Sequence, residues 1–144
     1  MKKKIKICQF CGVQYPYEKF LKPLCAELLA NNYQVHVAFS WDNINLVPVQ
    51  KGIKFKNLFF ERKPSIFSNI KTIYELYFYF KKENFDAVEI HTPLASISGR
   101  IAAKLAGVKI VIYKVHGYYF HENMNLLNKY FHIILELLLS KLVD

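Results

Sequence analysis

The sequence predicts an α/β fold in three layers, with a mainly parallel sheet of about five or more strands and helices on both faces. Three observations carry that expectation. Apolar runs of strand length alternate with segments of helical period along the chain. No internal repeat or low-complexity linker interrupts the alternation. The 144 residues are 53% hydrophobic and 16% aromatic, enough for one domain with its own core and no disulfide or metal staple.

The elements follow in order. "IKICQF" (Ile5–Phe10) is short and apolar and is ended by Gly12, as a first strand would be. In "EKFLKPLCAELLANN", Phe20, Leu21, Leu24, Leu28 and Leu29 recur at helical spacing, and Pro23 belongs in the first turns or at a kink. "YQVHVAFS" (Tyr33–Ser40) reads as a second strand, and "GIKFKNLFF" alternates as a half-exposed edge strand does. A long helix is expected over 66–84, with Ile66, Ile70, Ile73, Tyr77 and Phe80 along one apolar face. "FDAVEIHT" is a strand, "LASISGRIAAKLAGV" a small-residue helix stopped at Gly107, and "KIVIYKV" the most apolar strand. "NLLNKYFHIILELLLSKL" is a final helix with a narrow polar stripe at Asn125, Lys129, His132, Glu136 and Ser140.

Charge and composition narrow the partners. The net charge of +9 attracts phosphates, whether in nucleotides, polyprenyl phosphates or anionic headgroups. Together with the many Phe and Tyr residues it favours an anionic membrane surface over nucleic acid, for which no zinc-finger, RNP or basic-helix pattern is present. Cys8, Cys11 and Cys25 make an odd number, which suits a reducing cytoplasm and idle thiols better than a disulfide framework. The start "MKKKIKICQF" lacks a signal peptide's longer apolar core, and the apolar tail is broken by Glu136 and too short to span a bilayer. The expected location is cytoplasmic, with peripheral attachment to the inner face of the membrane as an extension of it.

In parallel α/β sheets, ligands sit beyond the carboxyl ends of the strands, where strand order reverses. Three clusters fall there: Cys11–Tyr15, His91–Pro93 and His116–Glu122. Gly12 stands without a G-x-G-x-x-G fingerprint, so it serves either a phosphate approach or a plain strand-to-helix turn. The same gap, with no acidic residue after the second strand, counts against a nicotinamide or flavin oxidoreductase or an epimerase. His91, Thr92 and Pro93 precede a helix whose N-terminus can hold an anion, and Arg100 inside it can reach a phosphate or pair with an acid. His116 and Gly117 leave the last strand, followed by His121 and Glu122. The spacing of five between the two histidines fits no standard zinc pattern, so no metal is expected. A histidine at a strand exit can equally be a hydrogen-bonded core residue.

The order of these motifs resembles the N-terminal domain of family 4 retaining glycosyltransferases of the two-domain GT-B fold, most closely the branch that builds bacterial capsular, exopolysaccharide and O-antigen units. His-Thr-Pro, Gly-Arg-x-Ala-Ala and His-Gly-aromatic-x-Phe-His-Glu come in family order between His91 and Asp144, and the likeness extends over nearly the whole chain. The resemblance implies a Rossmann-like domain, the acceptor-side half of a GT-B enzyme, over 1–144. It implies His116 as the catalytic residue beside Gly117, touching the donor sugar or its diphosphate. Gly12 would admit the donor's phosphates and the sugar acceptor, His91, Thr92 and Pro93 would form the cleft floor, and His121 and Glu122 would lie over the acceptor side. The donor is a nucleotide-sugar, a substrate, with no cofactor required; the acceptor is lipid-linked or a saccharide.

The pattern has departures. Ser96 stands where the branch has glycine, Glu89 where a first histidine is common, Tyr119 in place of histidine and Asn123 in place of glycine. In these enzymes a second domain binds the donor and carries two glutamates with seven residues between them. Glu75 and Glu83 have that spacing but lie on the aromatic-rich helix, which is the wrong context. The chain is therefore expected to be incomplete alone: a fragment, a truncated product or one subunit of a split enzyme. The alternative is a non-enzymatic subunit that docks on a membrane and recruits a separate catalytic chain.

Overall fold

The computed structural model describes residues 4–41, 48–61, 65–118, 120–122 and 124–144; Tyr119 and Asn123, two of the motif departures, lie outside them. Five strands form one parallel sheet: β1 (Lys6–Val13), β2 (Gln34–Ser40), β3 (Ile53–Asn57), β4 (Ala87–His91) and β5 (Ile110–Lys114). Their order is β3-β2-β1-β4-β5. The chain moves outward from β1 in one direction and from β4 in the other, so the reversal falls between these two central strands.

The helices bury what the strands present. On one face, Cys8, Phe10, Val88 and Ile90 pack against Leu76 and Phe80 of α3 (Ile66–Glu83) and Ala102 and Ala103 of α4 (Pro93–Ala106). On the other, Val35, Val37 and Phe39 meet Tyr17, Leu21 and Cys25. Each large apolar side chain removed from water here contributes about 1.5–3 kcal/mol. Gly99 permits the close approach of α4: a Cβ there would come within 2.9 Å of the Phe10 ring and 3.0 Å of Ile90.

The helix after β1 starts earlier than its apolar spacing predicts. A short α1 (Gln14–Pro16) runs directly into a π-helical turn, Tyr17–Leu21, and then α2 (Lys22–Ala30). The widened turn, closed by Lys22 N–H donating to the Tyr17 carbonyl, lies where the Pro23 ring would press on the Lys19 carbonyl of a regular helix. The first strand also differs from expectation. It continues through Gly12 to Val13, with a register break between Phe10 and Val13, so Gly12 sits in a bulge rather than after the strand.

One further expectation is corrected. The buried face of α3 is Ser68, Thr72, Leu76 and Phe80; Ile73 and Tyr77 are partly buried, while Ile66 and Ile70 face solvent. The hydroxyls explain the polar half of that stripe. Ser68 closes a capping box with Ser65, and the Thr72 hydroxyl lies within hydrogen-bond distance of the carbonyls of Ser68 and Phe59. The sheet is also not covered evenly. α2 lies against the β1–β3 half, and α5 (Leu126–Leu139) is tied to α4, so Ile110 and Ile112 of β5 remain exposed.

Candidate functional site

The carboxyl ends of β1, β4 and β5 bring together the residues singled out at the reversal point. β4 ends at His91, which is fully buried, and two residues beyond the end of β5 the chain places His116 beside it. His91 Nδ1 lies 3.2 Å from His116 Nε2, and the ring centroids are 5.4 Å apart. His116 is exposed, and on its other side it stacks on Phe20 of the π-helical turn, 5.8 Å between centroids. One imidazole is therefore sealed in the sheet and the other stands at the surface in contact with it.

A glutamine completes the arrangement. Gln9 of β1 is fully buried, its Oε1 2.6 Å from His91 Nε2 and its Nε2 donating to Glu89 Oε2 at 3.0 Å. β1 and β4 pair Gln9 with Glu89 in register, and Glu89 and His91 share a face by the two-residue alternation of a strand. Burial, then the nearby charges of His116 and Lys114, push the His91 imidazole down to about 3, so it stays neutral through the physiological range. Sequence reasoning missed Gln9. Its one signal was a polar residue inside an otherwise apolar first strand.

Thr92 occupies the N-cap of α4 with φ 71 and ψ 141, a conformation that costs a β-branched residue strain, and its side chain makes no cap hydrogen bond. Pro93 follows at the first helical position, where it sacrifices no intrahelical bond. Thr92, Pro93 and Leu94 line one side of a cavity of about 340 Å³; Cys11, Val13, Phe60 and Tyr118 line the rest. The cavity lies where β1 and β4 end, and its walls are mostly apolar and aromatic.

The other expected site residues have their own settings. Gly12 has φ 65, and a Cβ there would lie 2.9 Å from the Phe60 ring, so the bulge and the close aromatic contact both require glycine. Arg100 is 1% exposed: its guanidinium bonds the Ser96 carbonyl and hydroxyl, pairs with Glu136 Oε2 at 2.9 Å and lies 4.5 Å over the Tyr113 ring. The acid-pairing alternative is the one observed, as a buried clamp between α4 and α5 rather than a surface pair. Gly117 has φ 146, and among the described residues no atom lies within 4 Å of a Cβ built there. His121 and Glu122 are exposed, and no hydrogen bond joins their side chains to the histidine pair among the described residues.

The thiols and the glutamate pair are accounted for by structure. All three cysteines are free and buried, and burial raises their titration, Cys25 to about 12. Glu75 accepts from the Phe59 N–H and Glu83 pairs with Lys6, away from the histidine pair. Among the described residues no three His, Cys, Asp or Glu side chains gather to hold a metal ion.

Comparison with known proteins matches residues 6–143 to the model of a family described as glycosyl transferase 4-like. The chain belongs to this family. An Escherichia coli protein, UDP-Gal:alpha-D-GlcNAc-diphosphoundecaprenol alpha-1,3-galactosyltransferase, is 43% identical over 61 residues, which is 42% of this chain and 16% of that one. Among solved structures, MurG of Acinetobacter baumannii superimposes with a TM-score of 0.66 at 14% identity, over 97% of this chain and 40% of that one. UDP-GlcNAc 2-epimerase from Methanocaldococcus jannaschii gives a TM-score of 0.67 at 18% identity, over 96% and 38%. At these identities the structures attest the fold alone. The family member described here spans about two-fifths of the solved chains and a smaller part of the galactosyltransferase. Its Rossmann-like α/β architecture is that of glycosyltransferase and epimerase domains.

Proposed function

We propose that this chain supplies the acceptor-side half of a glycosyltransferase site, moving a sugar from a nucleotide-sugar to a lipid-linked or saccharide acceptor in bacterial surface polysaccharide synthesis. The observation that carries the reading is the His91–His116 pair at the reversal between β1 and β4, in a chain of glycosyltransferase family. His116, the exposed member, is the catalytic residue in this reading. Its ring can hydrogen-bond a sugar hydroxyl or, when protonated, steady the charge that develops on the departing phosphate. Gly117 beside it gives the backbone room to approach the donor, and the cavity walled by Thr92, Pro93 and Tyr118 receives the sugar acceptor. The apolar lining suits an acceptor with a lipid portion. The site needs no metal or cofactor in this reading, and a separate donor-binding domain closes it.

The test has two arms. In calorimetric titration the isolated chain should bind UDP-sugars weakly at most, because the donor-binding half is elsewhere; tight binding by this chain alone would refute the division of labour. Sugar transfer to a polyprenyl diphosphate-linked acceptor, measured with a complementing donor-binding domain, should fall about 10²–10³-fold in His116→Ala. An unchanged rate would remove His116 from the chemistry.

A second reading, a subunit that docks on an anionic membrane inside the cell and recruits a separate catalytic chain, rests on one observation. α5 exposes Leu127, Tyr130, Phe131, Ile134, Leu137 and Leu138 along its length, an apolar face on a chain of net charge +9. No helix among the described residues is long and apolar enough to cross a membrane. Flotation with anionic vesicles at low salt decides: failure to float removes this reading.

A further inference from the structure

We infer that Gln9 and Glu89 are positioning residues, a relay running from the sheet interior to the surface that fixes both histidines in one tautomer and leaves His116 Nδ1 as a hydrogen-bond acceptor for a ligand. The relay follows from donor and acceptor chemistry at each link. A carboxylate only accepts, so the Gln9 group 3.0 Å from Glu89 Oε2 is the amide NH₂. That orientation turns the Gln9 carbonyl oxygen toward His91 Nε2, 2.6 Å away. A carbonyl oxygen only accepts, so His91 Nε2 carries the hydrogen. His91 is buried and neutral and has one ring hydrogen, so its Nδ1 is a bare lone pair. His116 Nε2, 3.2 Å from that lone pair, must then be the donor. In its neutral form His116 keeps no hydrogen on Nδ1, the ring nitrogen without a protein partner among the described residues.

The geometry makes the relay stiff. Gln9 and His91 are fully buried, and strand pairing holds Gln9 opposite Glu89. Phe20 lies flat on His116 from the other side, interplanar angle 23°. Turning any one group leaves a buried donor or acceptor unmatched, at a cost of about 1–3 kcal/mol. The relay stands on these contacts; its bearing on sugar transfer rests on the function proposed above. There it means that neutral His116 accepts a hydrogen bond from a sugar hydroxyl, and must first take up a proton to donate to a phosphate.

Long-range ¹⁵N–¹H spectra of histidine-labelled chain report tautomers without substrate or a second domain. Wild type should show the Nε2–H form for both His91 and His116. Gln9→Leu removes the carbonyl that selects it. Glu89→Gln, nearly isosteric, removes the charge that orients Gln9. Each should turn the single pattern into a mixture at His91 and His116 while leaving His36 unchanged, with circular dichroism verifying the fold. An Nδ1–H form of His91 in wild type, or an unaltered pattern in a folded Glu89→Gln chain, overturns the relay. These spectra are independent of the transfer assay, so loss of the proposed activity and loss of the relay would be told apart.

Discussion

Moving from pH 7 to pH 5 should weaken the fold by about 4 kcal/mol through two buried histidines. His36 is 1% exposed and His91 0%. Burial is the main cause that lowers each, His36 to about 4 and His91 to about 3. Glu83 pulls His36 partly back up, and the charges of His116 and Lys114 push His91 further down. A histidine in the unfolded chain titrates near 6.5. Above that value both states are neutral and the stabilisation is complete. Below it the unfolded chain takes up a proton that the folded state refuses, so stability falls with falling pH until the folded value is reached. At pH 5 the unfolded side chain is about 1.5 pH units below its midpoint, worth about 2 kcal/mol per histidine at 1.36 kcal/mol per unit. Unfolded carboxylates titrate near 4 and contribute little in this window. Urea unfolding followed by Trp41 fluorescence, at both pH values, measures the change. His36→Gln should be less stable at pH 7 yet lose only about 2 kcal/mol on acidification. A variant that still loses about 4 kcal/mol, or a wild type that loses under about 1, would refute the argument.

Three further outcomes are expected. Gly12→Ala should cost about 1–2 kcal/mol for placing a side chain at φ 65; Phe60→Ala in the same chain should relieve the 2.9 Å contact but not the backbone cost, as thermal melts of the four combinations would reveal. Arg100→Ala should cost about 3 kcal/mol or more by leaving Glu136 without its partner, read as a lower urea midpoint. Ser65→Ala should cost about 1 kcal/mol by opening the capping box of α3, seen as a lower urea midpoint with an unchanged slope.

The strand and helix order was legible because each strand is a compact apolar run and each crossover helix has its own period. The solvent and core faces of α3 were not. Ile66 and Ile70 look like core residues by type, yet the helix turns Ser68 and Thr72 inward because their hydroxyls satisfy nearby carbonyls and the cap. Arg100 was read as surface chemistry because its partner, Glu136, is 36 residues away on another helix. The histidine pair could be anticipated from strand ends, since β4 and β5 are neighbours in a parallel sheet. Gln9 could not, because its meaning depends on Glu89 lying opposite in register, 80 residues later. Hydrogen-bond direction is a property of the assembled sheet and leaves no local mark.

The widened turn at Tyr17–Leu21 has a consequence for how the site can vary. A π turn holds one residue more than an α turn over the same rise, so it resets the angular position of everything on its upstream side. Tyr17 and Leu21 stay inward while Phe20 swings out to lie on the His116 ring. Deleting a single residue here would regularise the helix and carry Phe20 roughly a quarter-turn away, about 100° in a regular helix. The aromatic cover of the imidazole is thus encoded by chain length in this stretch as much as by the choice of phenylalanine, and a one-residue gap would strip it without altering any side chain at the strand ends.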